Sequence, residues 1–459
     1  MNMHRDDFLH LRAPGNWIND PNGFIYYKGE YHLYYQYFPY APQWGTMHWG
    51  HAVSRDLVSW EHRGLALFPS KPYDRNGCFS GSAQAEEEGI SFYYTGVRYN
   101  RYDEENIHLS VNDDFDSSQV MITSQDGYHF DNFHDKKMII PPVADPSIGS
   151  VTHTRDPKVW KEGDTYYMVL GSQAENEDGD MQGKLLFYRS MDGRAWEYAA
   201  SYTDNTGGYM WECPDLFCCG GRYVLCMSPM GYLKDEYEYE NISVCLPVSF
   251  EASECTLRAE GAAELMDYGM DLYAPQSTLD ASGRRTIIGW MRMPVPVQEE
   301  NGQEWIGMMS LPRLVEYRDG HICFRPHPDA AAVFKKETDV REIDYGKPFK
   351  INTSLAEGDS LAIGGFCLWQ EDGRLMADRS RVFGDVRGYR TRFSTPPLGG
   401  RCELEIYVDR NIIEVFVNDG EYVLSNIVYG LSGPTRFSYS RLSGCGSAPT
   451  GKPMVIFVP

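Results

Sequence analysis

Three short motifs carry acidic residues whose types and spacing could perform chemistry. They are "NWINDPNG" at 16–23, "HTRDP" at 153–157 and "WECPD" at 211–215, with Asp20, Asp156 and Glu212 as their central acids. Because no His or Cys ligands cluster around these acids, the motifs suit carboxylate catalysis better than transition-metal binding. Two alternatives remain: turn chemistry for the first motif, and a Ca²⁺ site built from Asp and Asn oxygens.

Paired carboxylates in an aromatic-lined pocket are what hydrolysis of a glycosidic bond requires. One ionised acid attacks the anomeric carbon, and a second, protonated acid gives its proton to the leaving oxygen. Aromatic rings can cover the C–H faces of a sugar with their apolar surface. Candidates for that contact are Trp44, Trp49, Phe79 and Trp290, although core packing would explain any one of them.

Five segments in the first two-thirds of the chain share a turn glycine followed by a short aromatic or aliphatic strand. These glycines are spaced about 60 residues apart, at Gly29, Gly89, Gly163, Gly221 and Gly283. A second motif has Ser, then Asp two residues later and an aromatic residue six later, at 54–60, 124–130 and 190–196. Such units predict the blades of a five-bladed β-propeller, with an array of β-sandwiches as the alternative.

The repeat places a polar cluster at the start of the strand that precedes each turn glycine. Equivalent positions of successive blades encircle the propeller axis at one end, so the three acids are predicted to converge. Ser80, Arg155 and Tyr273 would lie around them. Asp156 is out of register by one or two residues, which a β-bulge would absorb.

The sequence pattern changes after residue 316, and nine of the ten tryptophans lie before that point. We predict an all-β protein with a five-bladed β-propeller over 1–316, a linker over 317–337 and a β-sandwich over 338–459. The linker contains a candidate short helix at 327–337. The stretch "CELEIYVDRNIIEVFVNDGEYVLS" at 402–425 is typical of antiparallel strands with turns at DRN and NDG. Because the ordered acids lie in the propeller, the sandwich is expected to contribute stability or assembly.

Composition narrows the class of ligand. The 459 residues include 65 acidic and 42 basic side chains, for a net charge of −23, which disfavours nucleic acid and anionic membranes as partners. A neutral or cationic small molecule is expected instead. No segment approaches the roughly 20 apolar residues of a membrane span, and the N-terminus shows no signal-peptide pattern. We therefore expect a cytoplasmic protein.

Metal ions and cofactors are not expected. The eleven cysteines are scattered without Cys-x-x-Cys spacing, which argues against zinc and favours reduced thiols. The histidines His32, His48 and His51 lack ligand spacing and are interpreted as hydrogen-bonding or packing residues. No glycine loop of phosphate-cradling form occurs.

Taken together, the motifs resemble those of glycoside hydrolase family 32, the β-fructofuranosidases that include invertases, inulinases and levanases. The resemblance rests on "NWINDPNG", "RDP" and "EC", together with "WGH" at 49–51, "FSG" at 79–81, "DLYAPQ" at 271–276 and "DRNIIEVFVNDGE" at 409–421. These motifs occur in the family's order along nearly the whole chain. The family implies a five-bladed propeller followed by a β-sandwich, in agreement with the repeat.

The resemblance also implies roles for single residues. Asp20 would be the nucleophile, Glu212 the general acid/base and Asp156 the transition-state stabiliser. Arg155 is expected to hold the carboxylate of Asp156 ionised and aligned. The positions that match fructosyl-binding residues of the family are Asn19, Gln36, Trp44, Phe79, Ser80, Tyr273 and Trp290.

The expected activity is retaining hydrolysis that releases terminal β-D-fructosyl units from sucrose and short fructo-oligosaccharides. A sucrose-6-phosphate hydrolase and an exo-acting inulinase or levanase are the alternatives for the substrate. Two rivals differ in class: inverting propeller glycosidases such as the arabinan-cleaving enzymes, and a propeller that binds carbohydrate without catalysis. The presence of all three acids disfavours the second rival.

Overall fold

A computed structural model of the chain describes residues 6–234, 237–239, 241–438 and 454–459. Strands contain 54% of the residues and helices 3%, so the predicted all-β class is confirmed. Residues 1–5 and 439–453, which belong to the predicted propeller and sandwich ranges, lie outside the described residues. No helix in the described part of the chain has the length and apolar character needed to cross a bilayer.

The chain forms two compact units. The first comprises Met1–Leu265, Tyr273–Met291 and Val295–Met309, and the second comprises Met266–Leu272, Arg292–Pro294 and Ser310–Pro459.

Short strands build nearly the whole of the first unit. In chain order they are β1 (Asp6–Phe8), β2 (Asn16–Tyr27), β3 (Glu30–Phe38), β4 (His48–Ser54), β5 (Ser59–Leu67), β6 (Gly77–Ala85), β7 (Ile90–Tyr99), β8 (Phe115–Ser124), β9 (Lys137–Ile140), β10 (Arg155–Glu162), β11 (Thr165–Glu175), β12 (Met181–Ser190), β13 (Glu197–Tyr202), β14 (Met210–Cys219), β15 (Arg222–Met230), β16 (Tyr232–Lys234), β17 (Tyr237–Tyr239), β18 (Val244–Glu251), β19 (Thr256–Ala259), β20 (Glu264–Leu265), β21 (Leu272–Leu279), β22 (Arg285–Met291), β23 (Val297–Gln298), β24 (Glu304–Ile306) and β25 (Met308–Met309). A 3₁₀ turn at Val111–Asp113 precedes β8.

Consecutive antiparallel strands form five successive groups in this unit. Four of them are β2 to β5, β6 to β9, β10 to β13, and β14, β15, β18 and β19; the fifth contains β21 and β22, with β25 paired to β22. Near the end of the unit, β24 pairs in parallel with β2 through Asn16↔Trp305 and Trp17↔Ile306. The end of the first unit is therefore joined to its beginning.

Both repeated sequence motifs form turns at equivalent places. The five repeat glycines have positive φ between 59° and 95° and lie between the first two strands of each group, where a side chain would be strained. In the Ser–Asp motif, Asp56, Asp126 and Asp192 accept backbone N–H groups from the residues two and three positions later. These turns join the third and fourth strands of three groups.

A β-bulge interrupts the first strand of four groups at its polar motif. Pairing shifts register between Ile18 and Pro21, Cys78 and Gly81, Arg155 and Lys158, and Glu212 and Asp215. In each bulge two residues oppose one residue of the partner strand, which re-aims side chains away from the regular alternation. The bulge predicted at Asp156 is thus present, and three further strands share it.

Aromatic and aliphatic side chains pack between neighbouring strand groups. Tyr34 and Trp49 of the first group share a buried cluster with Phe92 and Val120 of the second. A second cluster joins the second and third groups. This packing fixes the strands whose bulges carry the polar motifs.

The second unit also consists mainly of strands. Their bounds are β26 (Arg313–Arg318), β27 (His321–Pro326), β28 (Lys336–Thr338), β29 (Phe349–Leu355), β30 (Ser360–Ile363), β31 (Phe366–Glu371), β32 (Arg374–Asp378), β33 (Arg392–Ser394), β34 (Cys402–Asp409), β35 (Ile412–Val417), β36 (Tyr422–Ile427), β37 (Arg436–Ser438) and β38 (Val455–Val458). Two short helices, α1 (Pro328–Ala331) and α2 (Ser380–Phe383), and a 3₁₀ turn at Val340–Glu342 complete it.

The second unit contains two larger sheets. One has the order β28-β38-β29-β34-β35-β36 and the other β33-β32-β31-β30-β37. Of the helix predicted at 327–337, only the single turn of α1 is present, and β28 begins within the predicted range at Lys336. The predicted antiparallel strands around DRN and NDG are β34, β35 and β36. Buried Arg313 forms ion pairs with Asp267 and Glu414 in this unit, so each charge has a partner.

Candidate active site

The polar motifs of the first unit meet at one cavity of about 360 Å³. Ten of the eleven residues predicted for the site line it: Asn19, Asp20, Gln36, Trp44, Phe79, Arg155, Asp156, Glu212, Tyr273 and Trp290. The eleventh, Ser80, is buried beside the cavity and hydrogen-bonds two of the lining residues. The predicted convergence of residues from distant parts of the chain is therefore present.

Asp20 lies in the bulge of β2 and is held by neutral hydrogen-bond donors. Ser80 Oγ donates to Asp20 Oδ2 at 2.5 Å, and Asn19 Nδ2 donates to Oδ1 at 3.2 Å. Gln36 Nε2 in turn donates to Ser80 Oγ. Because the amide nitrogen of Gln36 can only donate, the hydroxyl proton of Ser80 is directed to Asp20. The carboxylate is fixed in place with its negative charge stabilised.

Asp156 lies in the bulge of β10 with φ 66°, a left-handed conformation that is uncommon outside glycine. Its backbone N–H donates to Thr95 Oγ1 at 3.0 Å, which holds the strained backbone. Its Oδ2 accepts the backbone N–H of Cys213 at 2.9 Å.

Cys213 links the two aspartates. Its Sγ lies 3.5 Å from Asp20 Oδ2 and 3.5 Å from Asp156 Oδ2, so the two carboxylates lie within twice that distance of each other. Cys213 has φ 48° and lies in the bulge of β14, next to Glu212. Cys213 thus contacts both aspartates and is the chain neighbour of Glu212.

Glu212 is held by a cation and a phenol. Arg155 donates to Glu212 Oε1 from Nη2 at 2.7 Å and from Nε at 3.1 Å, and Tyr273 donates its O–H to Oε2. The expectation that Arg155 aligns Asp156 is corrected in this respect: its hydrogen bonds go to Glu212, and its charge acts on Asp156 only through space. The bulge turns Asp156 toward Cys213, whereas Arg155 extends to the adjacent strand group.

Burial is the main cause of the raised pKa of Asp20 and of Asp156. Desolvation raises the pKa of Asp20 to about 6, against the opposing hydrogen bond from Ser80. Desolvation also raises the pKa of Asp156 to about 7, with the Arg155 charge opposing and the other two carboxylates adding to the rise. The charges of neighbouring carboxylates therefore add to burial in favouring the protonated form of Asp20 and Asp156.

Two pairs of aromatic rings line the cavity. Trp17 and Trp290 meet edge to face with ring centroids 5.7 Å apart, and Trp44 and Phe79 do so at 5.9 Å. Trp49, a further candidate for sugar contact, is fully buried in the core instead and donates Nε1 to Phe79 O at 3.0 Å. Its position on β4 directs it between strand groups, as the packing alternative predicts.

The candidate histidines take hydrogen-bonding and packing places, as interpreted from the sequence. His32 Nδ1 and His51 Nε2 lie 3.1 Å apart in the core, and His48 Nδ1 contacts Thr46 O at 2.9 Å. In the described part of the chain, no group of three His, Cys, Asp or Glu side chains has an arrangement that could hold a metal ion. The ten cysteines within that part form no disulfide with one another.

Sequence reasoning missed part of the cavity wall. The missed lining residues are Trp17, Tyr99, Leu109, Ser110, Asp113, Phe115, His153, Met230 and Asn241. Trp17 and His153 belong to the quoted motifs and could have been found by their proximity to the acids. The others come from loops and strand ends that carry no periodic or motif signal.

An all-β unit whose bulged strands bring three carboxylates to an aromatic-lined cavity has the features of a glycosidase. The model of the glycosyl hydrolases family 32 N-terminal domain matches residues 10–326, and the model of the family 32 C-terminal domain matches residues 342–446. The chain belongs to glycoside hydrolase family 32, and the resemblance read from its motifs is confirmed.

Known proteins align with nearly the whole chain. A raffinose invertase of Escherichia coli is 35% identical over 92% of this chain and 89% of its own length. A sucrose-6-phosphate hydrolase of the same species is 34% identical over 92% and 88%. The solved family 32 β-fructofuranosidase of Bombyx mori is 27% identical, with a TM-score of 0.77, over 100% of this chain and 91% of that one. A sucrose-6-phosphate hydrolase structure from Lactobacillus gasseri, 24% identical with a TM-score of 0.83 over 100% and 93%, shares the fold.

Proposed function

We propose that this protein is a retaining β-fructofuranosidase that releases terminal β-D-fructosyl units from sucrose and short fructo-oligosaccharides. The observation that carries the proposal is the contact of Cys213 Sγ, at 3.5 Å, with one carboxylate oxygen of Asp20 and one of Asp156, beside Glu212. Family membership supplies the reaction class, one relative is named as a raffinose invertase, and a mutant of the Bombyx mori β-fructofuranosidase has been solved in complex with sucrose.

In the first step, the Asp20 carboxylate attacks the anomeric carbon of the fructosyl unit. The bond from that carbon to the leaving oxygen breaks, and Glu212 gives its proton to this oxygen. The donors Ser80 and Asn19 keep Asp20 in position for attack. The product of the step is a fructosyl ester of Asp20.

In the second step, water releases the sugar. Glu212, now a carboxylate, takes a proton from the water that attacks the anomeric carbon, and Asp20 leaves as a carboxylate. Arg155 donates to one oxygen of Glu212 and Tyr273 to the other, which stabilises the carboxylate form that accepts this proton. Asp156 accepts hydrogen bonds from fructosyl hydroxyls, which strengthen as positive charge develops in the transition state.

The proposal includes the arrangement of the fold. The five strand groups would be the blades of a five-bladed β-propeller over 1–316, followed by a linker over 317–337 and a β-sandwich over 338–459. The parallel pairing of β24 with β2 supports a closed ring, because it joins the end of the first unit to its start. A cytoplasmic location and the absence of a cofactor or metal ion remain predictions.

Hydrolysis of sucrose 6-phosphate is the second candidate function. It is favoured by the names of relatives from Escherichia coli and Bacillus subtilis, which are 34% and 32% identical to this chain. The two candidates share the fructosyl chemistry and differ only in the leaving group.

The test compares kcat/KM for sucrose, sucrose 6-phosphate, 1-kestose and inulin in wild type and Asp20→Asn. We expect fructose release from sucrose and kestose, and a loss of at least about 10³-fold in Asp20→Asn, which keeps the shape but not the charge. Absence of fructose release from all four substrates would overturn the enzyme assignment. A preference of a hundredfold or more for the phosphate ester would establish the second candidate.

A further inference from the structure

Two residues of the cavity wall, His153 and Asp113, take no part in the proposed chemistry. His153 lies two residues before the start of the strand that carries Arg155 and Asp156, and Asp113 ends the 3₁₀ turn before β8. Both line the cavity that holds the three acids. Their side chains offer a hydrogen-bond donor and an acceptor at a place where a ligand would reach them.

The partner of His153 fixes the tautomer of its ring. Arg155 Nη1 lies 3.0 Å from His153 Nδ1, and because a guanidinium nitrogen only donates, Nδ1 accepts. Burial, together with the Arg155 charge, lowers the pKa of His153 to about 4, so the ring is neutral at neutral pH. A neutral ring that accepts at Nδ1 carries its proton on Nε2. Within the described residues this N–H has no hydrogen-bond partner.

Arg155 also locates His153 relative to the acids. The guanidinium donates to Glu212 from Nε and Nη2 and to His153 from Nη1. His153 is therefore one guanidinium group away from the acid that protonates the leaving oxygen. The donors that surround Asp20, by contrast, come from Asn19, Ser80 and the thiol of Cys213. This separation places His153 with the leaving group rather than with the fructosyl unit.

Asp113 is presented by a strained but anchored turn. Asn112 and Asp113 have φ of 57° and 51°, and two consecutive left-handed residues without glycine are costly. Backbone hydrogen bonds from Asn100 N to Asp114 O at 2.9 Å and from Val111 N to Arg101 O at 3.2 Å hold the turn. The exposed carboxylate of Asp113 accepts no hydrogen bond from the described residues, and its charge acts on His153.

Negative charge predominates on the cavity wall. Its described acids are Asp20, Asp113, Asp156 and Glu212, whereas Arg155 is the single described lining residue with a positive charge. That guanidinium is already shared between Glu212 and His153. A phosphate would meet a carboxylate at Asp113 and no uncommitted cation among these residues.

On the basis of the proposed function, we propose that His153 and Asp113 form the subsite for an uncharged, hydroxyl-bearing leaving group and select against a phosphorylated one. His153 Nε2–H donates to a sugar hydroxyl oxygen, and the Asp113 carboxylate accepts a sugar O–H. Both residues determine which leaving group is accepted, whereas Asp20 and Glu212 carry out the bond-breaking steps.

The experiment measures kcat/KM of wild type, His153→Ala, His153→Gln, Asp113→Asn and the control Asp116→Asn, whose carboxylate pairs with Arg98. The substrates are sucrose, methyl β-D-fructofuranoside, which lacks a sugar leaving group, and sucrose 6-phosphate. His153→Ala should lower kcat/KM about tenfold for sucrose and less than about twofold for the methyl fructoside, as expected for one lost hydrogen bond. His153→Gln, which keeps an N–H donor, should recover part of the loss.

Asp113→Asn should raise the ratio of kcat/KM for sucrose 6-phosphate to that for sucrose at least about tenfold, whereas Asp116→Asn should leave it unchanged. Equal losses on sucrose and the methyl fructoside in both His153 variants would overturn the role of His153. An unchanged ratio in Asp113→Asn, or a wild-type preference for the phosphate ester, would overturn the selection. Since these outcomes require fructose release by the wild type, they are distinct from failure of the proposed function.

Discussion

Arg155 donates two hydrogen bonds to one oxygen of Glu212, from Nη2 at 2.7 Å and from Nε at 3.1 Å. Tyr273 occupies the other oxygen, so the acid of "WECPD" is oriented by residues from two other strand groups. A carboxyl fixed in this way can transfer a proton at one defined point of the cavity. Asp20, which is held by neutral donors, has the setting of a nucleophile instead.

Activity should decline at acidic pH because Asp20 must be ionised to attack. Burial raises its pKa to about 6, so the nucleophilic form is lost as the pH falls through that value. We expect kcat/KM for sucrose to decline below about 7, where Asp156 takes up a proton, and to fall at least about tenfold per pH unit below about 6, where Asp20 does so as well. A pH–rate profile between 4 and 8 checks this expectation. A flat profile down to pH 4.5 would contradict it.

Asp20→Asn should make the protein inactive and more stable at neutral pH. A carboxyl whose pKa is higher in the folded state than in the unfolded chain stabilises the fold when protonated, and this stabilisation is lost as the pH rises through about 6. Removing the buried charge should contribute on the order of 2–3 kcal/mol at pH 7.5 and little at pH 4. Thermal unfolding of both proteins at the two pH values measures the difference. A stability difference independent of pH would show that burial of this charge is not its cause.

Glu212→Ala should lose activity in proportion to the leaving group's need for a proton. We expect kcat/KM for sucrose to fall by about 10²–10⁴-fold, and activity on an activated aryl fructoside to fall much less. Azide should restore part of the turnover by replacing water in the second step. Glu212→Gln serves as the matched control for loss of the side chain's volume, because it preserves the shape of the side chain and removes only the carboxyl group. Equal losses on good and poor leaving groups, with the first step rate-limiting, would rule out an acid role.

The buried pair of His32 and His51 should make the protein labile to acid. Burial lowers the pKa of His32 to about 4 and that of His51 well below its ordinary value, so both rings are neutral in the folded protein. A histidine whose pKa is lower in the folded protein than in the unfolded chain destabilises the fold as the pH falls below about 6.5, because the unfolded chain then binds a proton that the folded protein does not. Between pH 6.5 and 4.5 His32 alone should account for roughly 2 kcal/mol, and His51 adds to this loss.

Thermal unfolding of the double variant His32→Gln/His51→Gln tests this lability against the exposed His134→Gln. The double variant should show a smaller decrease in Tm from pH 6.5 to 4.5 than the wild type. His134→Gln, whose ring is 80% exposed, should decline like the wild type. An identical decline in all three proteins would assign the acid lability to other groups.

The sequence was sufficient for the positions that follow from local rules. Turn glycines with positive φ and Ser–Asp turns recur because short-range chemistry demands them, and they locate the strands on either side. The polar motifs are short continuous stretches of sequence such as "NDP" and "RDP", so the three acids could be selected before their meeting at one cavity was known. A bulge at Asp156 followed from the register alone.

What the sequence did not predict depends on the direction of single side chains. The partner of Arg155 is set by the bulges of two strands, and no spacing rule indicates whether it reaches Asp156 or Glu212. Trp49 is buried, like every residue of β4, because it packs against the second strand group, although its motif is next to the site. Asp113 comes from a loop without periodicity, where only tertiary contacts determine the conformation.

The configuration of the first product tests the central claim, retention by Asp20 and Glu212, most directly. Retention follows from a covalent fructosyl–Asp20 intermediate and requires the two carboxyl groups to lie about 5–5.5 Å apart. NMR spectra recorded during the first minutes of sucrose hydrolysis, before mutarotation, should show β-D-fructofuranose as the initial product. The α anomer as the initial product would contradict the account, because it would require direct attack by water and a different role for Asp20.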